Sequence, residues 1–296
     1  MHIDAPPFGA VLTAMVTPFG DDGAVDHGRL ARLARFLVDN GSDGLVVTGT
    51  TGESPTLGFE EKLACYRTVV EAVGSRAVVV AGTGTYDTAE SVLLSQRAAD
   101  MGVAGLMAVT PYYSKPGQSG IRAHFEAIAD ATDLGVLVYN IPGRTGSRIE
   151  LSTLAALAEH PNIVATKDAV MDLDFTSETV RTIPDLAVYS GQDSYTWPMM
   201  AVGAIGVVSV IAHLAGNEVK AMVTAALGGD SETARRLHQS LLPLCWTCFL
   251  ETNPTSVKAA MSALWEPVGA PRLPLVPASA ETVQAIKEAM TTLSQS

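Results

Sequence analysis

The chain has 296 residues, 47% of them hydrophobic, and a formal net charge of −12. That length and apolar content suit one α/β barrel with a packed core. The acidic balance, with no Lys/Arg-rich run, argues against nucleic acid and anionic membranes as partners.

No apolar stretch is long enough to suggest a membrane span. The opening residues, "MHIDAPPFGAV", lack the basic region and long apolar run of a signal peptide. Three cysteines (Cys65, Cys245, Cys248) are too few for a disulfide framework, and a cytoplasmic location is expected.

Eight short apolar runs follow one another. They start at Val11, Gly44, Ala77, Gly105, Val136, Ile163, Ala187 and Gly206, between 19 and 33 residues apart. Each is continuous rather than alternating, as expected of strands covered on both faces in a parallel sheet. Helical patterns lie between them. Leu30, Leu33 and Leu37 repeat at helical spacing before Gly41, and Leu63, Tyr66, Val70 and Val73 before Gly74. Asp87 and Glu90 have the spacing of a capping box. Strand then helix, eight times, predicts a (β/α)8 TIM barrel over residues 1–229, the eighth helix running over "NEVKAMVTAALGG". A doubly wound sheet is the alternative, but near-equal units favour closure. After Gly229 helical patterns follow without strands, which predicts a C-terminal helical appendage over 230–296.

In such a barrel reactive side chains sit just after the strands. The second run is followed by Thr50 and Thr51, the fourth by Tyr112 and Tyr113, and the fifth by Tyr139 and Arg144. The sixth ends at Lys167, and the seventh leads into "SGQD". A lysine ending an apolar run is costly to bury as a cation, and a dry site lowers its pKa. The neutral amine can then attack a carbonyl and form a Schiff base. The other reading is a structural lysine paired with Asp168. Alternation along a strand weakens it, because neighbouring side chains point to opposite faces. Tyr139 is either a proton shuttle beside Lys167 or an aromatic core residue. Thr50 and Thr51 either tune the phenol or simply make a turn.

Other motifs carry less. "GTTGES" lacks the lysine ending of a phosphate loop, and "GTGTYDT" is equally weak. Cys245 and Cys248 have metal-like spacing without a second pair, inside an apolar helical segment. The six histidines are scattered, so neither a metal nor a cofactor is predicted.

Six motifs, "GTTGESPTL", "TPYYSKP", "YNIPGRTG", "ATKDA", "SGQD" and "FLETNPTSVKAAM", run in order along nearly the whole chain. As a set they resemble the dihydrodipicolinate synthase family, within the pyruvate-dependent class I aldolases that include N-acetylneuraminate lyase. The resemblance implies a homotetramer that condenses pyruvate with L-aspartate 4-semialdehyde, on the way to diaminopimelate and lysine. It implies the Schiff-base role for Lys167. It also implies a proton relay of Tyr139, Thr50 and Tyr113, the last supplied by a neighbouring subunit. Thr51 would hold the pyruvate carboxylate, Arg144 the carboxylate of the semialdehyde, and Gly191 and Val208 would offer backbone contacts. Val208 stands where the family commonly has isoleucine, and "ATKDA" where it commonly has "IKEA". The alternatives are a sister aldolase acting on an oxo-sugar acid or N-acetylneuraminate, and a non-catalytic oxo-acid-binding paralogue. Arg144 argues against the first, because a bidentate fork suits a second carboxylate. The intact set of Lys167, Tyr139, Thr50 and Tyr113 argues against the second.

Many family members bind lysine in a crevice between subunits. Ser54, Glu90 and Tyr112 match that pocket. Tyr86, Phe59 and Lys62 depart from it, so weak or absent inhibition by lysine is expected.

Overall fold

The computed structural model describes residues 5–295. The first four residues of the N-terminal stretch, with His2, lie outside them. Among the described residues, eight parallel strands close into a barrel in sequence order. They are β1 (Val11–Ala14), β2 (Gly44–Val47), β3 (Val78–Gly82), β4 (Gly105–Val109), β5 (Gly135–Asn140), β6 (Ile163–Asp168), β7 (Ala187–Ser190) and β8 (Gly206–Ser209). β8 pairs with β1 through Val207 and Val11, which shuts the ring. The predicted barrel is therefore the observed fold.

The strands are mostly apolar because each has two dry faces, and their polar residues gather toward the C-terminal ends. One set of side chains fills the barrel: Leu12, Val46, Val80, Leu137, Tyr189 and Val208 among them. The other packs under the surrounding helices, with Leu45, Val47, Val79, Leu106 and Val138. Phe8 plugs the barrel floor, its backbone N–H donating to the Tyr189 hydroxyl at 3.3 Å. A Cβ on Gly105 would come within 2.3 Å of the Phe8 ring, so only glycine starts β4 there.

The surrounding helices are α1 (His27–Asp39), α2 (Phe59–Val73), α3 (Thr88–Asp100), α4 (Gln118–Ala129), α5 (Pro142–Thr145), α6 (Leu151–Leu157), α7 (Leu173–Thr182), α8 (Thr196–Ala201) and α9 (Ala212–Leu227). Asp26, Asp87 and Asp172 each accept backbone N–H groups at a helix start, which satisfies donors the first turn leaves unpaired. The capping box at α3 is only half made. Asp87 caps Glu90, but the Asp87 N–H donates to Thr85 Oγ1 at 3.0 Å rather than to the Glu90 side chain. α9 starts five residues before the predicted Asn217, across a non-helical Ala215. His213 explains the early start: its Nε2 accepts the Val16 N–H at 3.1 Å and its Nδ1 donates to the Val210 carbonyl at 2.8 Å. Burial holds this imidazole neutral, near pKa 4, as that bridge requires.

Three further helices follow: α10 (Ser231–Thr247), α11 (Thr255–Leu264) and α12 (Ala280–Leu293). Leu241, Leu244, Cys245, Cys248, Ala260 and Ile286 share one apolar cluster with Val11, Val207 and Val219. The two cysteines are thus core residues, as their apolar segment suggested. Among the described residues no helix is long and apolar enough to cross a membrane.

Candidate active site

Lys167 is the penultimate residue of β6, one place beyond where the apolar run itself stops, and is buried. Sheet register aligns it with Tyr139 of β5 on one side and Tyr189 of β7 on the other. Register partners on adjacent strands share a face, and Tyr139 and Tyr189 both belong to the barrel interior. Lys167 Nζ lies 4.0 Å from the centroid of the Tyr139 ring. Asp168 points the other way, accepting from the Val170 N–H at 2.9 Å and the Thr176 hydroxyl at 2.7 Å. The Lys167–Asp168 pair considered above is not formed.

Burial pushes the Lys167 amine down to about 7; the Asp193 carboxylate opposes this and the Arg144 guanidinium adds to it. Near neutral pH a large share of this amine carries no proton, the form that attacks a carbonyl. Burial pushes the Tyr139 phenol up to about 12, while the Arg144 charge and a hydrogen bond from Thr50 pull it back.

A cleft opens above this pair at the C-terminal mouth, lined among others by Thr50, Tyr112, Tyr139, Ile141 and Arg144. Lys167 is not on its wall and sits against the Tyr139 ring instead. Thr51 is buried, its hydroxyl accepting from Asn253 Nδ2 at 2.9 Å. Arg144 Nη2 donates to the carbonyl of the same Asn253 at 3.3 Å. Gly191 donates its N–H to the Asp168 carbonyl at 2.7 Å. A Cβ there would lie 3.1 Å from Lys167 Cγ and 2.9 Å from Ala169 Cβ, so glycine leaves room for the lysine stem. Val208, on β8, faces the barrel interior.

Tyr113 is the exception. Its side chain is 91% exposed and its backbone is left-handed at φ 65°. Its own chain's cleft is lined by Tyr112 instead.

Two residues beside this site received no role from the sequence. Asp193 follows β7 and is buried, accepting from the Ser209 hydroxyl at 2.5 Å and the Val210 N–H at 2.9 Å. Its position just after a strand was the available signal. Asn253 precedes α11 and meets both Thr51 and Arg144. It follows no strand, so the rule that found the others passes over it.

Fold and rim together define the class: a (β/α)8 barrel enzyme with a buried, weakly basic lysine beneath its mouth. The model of the dihydrodipicolinate synthetase family matches residues 7–293. The chain is 52% identical over 284 residues to the 4-hydroxy-tetrahydrodipicolinate synthase of Moorella thermoacetica, covering 96% of this chain and 97% of that protein. Among solved structures it resembles dihydrodipicolinate synthase from Bacillus anthracis, with a TM-score of 0.93, 45% identity and coverage of 96% and 98%. It also resembles the enzyme from Cyanidioschyzon merolae with lysine bound, with a TM-score of 0.95, 42% identity and coverage of 99% of each chain. The chain belongs to the dihydrodipicolinate synthetase family.

Proposed function

We infer that this enzyme condenses pyruvate with L-aspartate 4-semialdehyde to 4-hydroxy-tetrahydrodipicolinate, in the route to diaminopimelate and lysine. The observation that carries the reading is the buried Lys167 amine, its pKa lowered to about 7, against the Tyr139 ring. Nζ attacks the pyruvate ketone, water leaves, and a protonated imine forms. The imine draws electrons from the adjacent methyl carbon, which loses a proton and attacks the aldehyde. The amino group of the semialdehyde then closes on the imine carbon, displacing Lys167 as the ring forms.

Tyr139 and Thr50 move protons during these steps, with Tyr113 of a neighbouring subunit as the third member of the relay. The exposure of Tyr113 supports its reach into another copy, in a homotetramer. Thr51 holds the pyruvate carboxylate, and backbone groups at Gly191 and Val208 complete that pocket. Arg144, on the cleft wall, takes the carboxylate of the semialdehyde. A cytoplasmic setting is supported by three buried, unpaired cysteines.

Incubation with pyruvate and borohydride is expected to add one reduced pyruvoyl unit to the peptide containing Lys167. Lys167→Ala is expected to lose both the adduct and nearly all turnover. An adduct on any other lysine overturns the assignment.

A further inference from the structure

The loop that carries Thr50 and Thr51 is anchored from below by a charge pair that the chemistry above does not use. Glu53, three residues past Thr50, is buried and left-handed at φ 59°. A non-glycine residue holds that conformation only where its surroundings fix it. Its Oε1 accepts from Lys258 Nζ at 2.7 Å, and its Oε2 from the Arg272 backbone N–H at 2.8 Å.

Lys258, on α11, is itself only 1% exposed. Its ammonium also donates to the carbonyls of Thr17 at 3.0 Å and Ala270 at 3.3 Å, so all three of its donors have partners. The ring of Phe19 lies 4.1 Å from Nζ. Thr17 closes the circuit, its hydroxyl donating to the Gly52 carbonyl at 2.7 Å. Thus Gly52 and Glu53, at the end of the 50–53 turn, are tied to α11 and the strand-free segment after it. A buried ion pair is a weak source of stability, since replacing both partners by well-packed hydrophobic residues of similar volume is often neutral. Its value here is the backbone conformation it enforces.

We propose that Glu53 and Lys258 are positioning residues that set the Thr50 hydroxyl toward Tyr139 and the Thr51 hydroxyl toward the keto-acid carboxylate. The proposal rests on the roles given to Thr50 and Thr51 above. Neither Glu53 nor Lys258 touches the substrate.

Two variants test it. Glu53→Gln with Lys258→Met removes both charges at nearly constant volume. Glu53→Asp keeps the charge and shortens its arm. Both are expected to raise KM for pyruvate and lower kcat, with kcat/KM down by about tenfold or more, because small displacements of reacting groups are costly. In the double variant Tm is expected to fall, because Met at 258 leaves the Thr17 and Ala270 carbonyls without that donor, while borohydride trapping on Lys167 at saturating pyruvate is expected to remain. A purely structural pair behaves otherwise: the folded double variant, assayed well below its Tm, would turn over like the wild type, and that result overturns the proposal. Should the double variant not fold, Glu53→Asp decides alone, and a kcat/KM within about twofold of wild type overturns it. Thr50→Val and Thr51→Val separate the two readings. If they cost nothing, the site assignment fails and takes the proposal with it. If they cost activity while the pair variants do not, the positioning proposal alone fails.

Discussion

In the Schiff-base role proposed above, Lys167 serves chemistry at the expense of the fold. In the folded state its pKa is lowered from 10.5 to about 7. Between those values the unfolded chain binds more protons than the folded one, so stability rises with pH across that window. Below about pH 7 both states are protonated and the full cost of burying the ammonium, a few kcal/mol, is present. Lys167→Met is therefore expected to raise Tm at pH 6 and to gain progressively less toward pH 10, as followed by thermal melts at both values. A gain independent of pH would refute the lowered pKa. The role proposed for Arg144, on the second substrate, is tested at the same scale. Arg144→Ala is expected to leave pyruvate trapping intact while lowering kcat/KM for the semialdehyde about 10- to 100-fold, the range for losing charge-assisted hydrogen bonds. Efficient cleavage of N-acetylneuraminate by the wild type, with the semialdehyde ignored, would contradict the substrate assignment.

At the scale of elements, the strands were legible because a parallel strand buried on both faces leaves an uninterrupted apolar run. Val11, Gly44, Gly105, Ile163, Ala187 and Gly206 each begin both the run and the strand. Reading the end of each run then singled out Thr50, Tyr139, Arg144 and Lys167, although Tyr139 and Lys167 lie within β5 and β6 themselves. What it missed comes from far along the chain: Asn253 lies 202 residues from Thr51, and Lys258 lies 205 from Glu53. No local periodicity encodes such meetings, because helices packed over the barrel set them. α3 and its loop carry a further expectation. The Tyr86 ring stands edge-on to Tyr112 at 5.3 Å, and Lys62 on α2 is buried within electrostatic range of Glu90. In the crevice that the resemblance implies, Glu90 would be the carboxylate left to meet an effector's ammonium, and it already lies within electrostatic range of the Lys62 cation. Tyr86 occupies space where an amide would donate and accept, at about 0.5–1.5 kcal/mol for each lost hydrogen bond. Activity is expected to be insensitive to millimolar lysine, with no heat of binding in calorimetry. Saturable inhibition at sub-millimolar lysine would show that Tyr86, Phe59 and Lys62 leave the crevice working.

For the whole molecule the question is where one functional unit ends. Under the cross-subunit reading, a mixture of Tyr113→Phe and Lys167→Ala subunits contains some sites with both native groups. Recovered turnover in verified mixed oligomers is the expected result, and none at all would count against the reading. The exposed tyrosine also has a thermodynamic consequence. Under that reading a separated subunit can keep its barrel closed and its Lys167 dry, yet its site lacks the Tyr113 that a neighbour supplies. Catalytic competence then becomes a mass-action quantity, set by the dissociation constant of the assembly rather than by the folding equilibrium. On dilution, specific activity is expected to fall along a binding isotherm while far-UV circular dichroism stays flat, and pyruvate that favours the completed site would shift that isotherm to lower protein concentration.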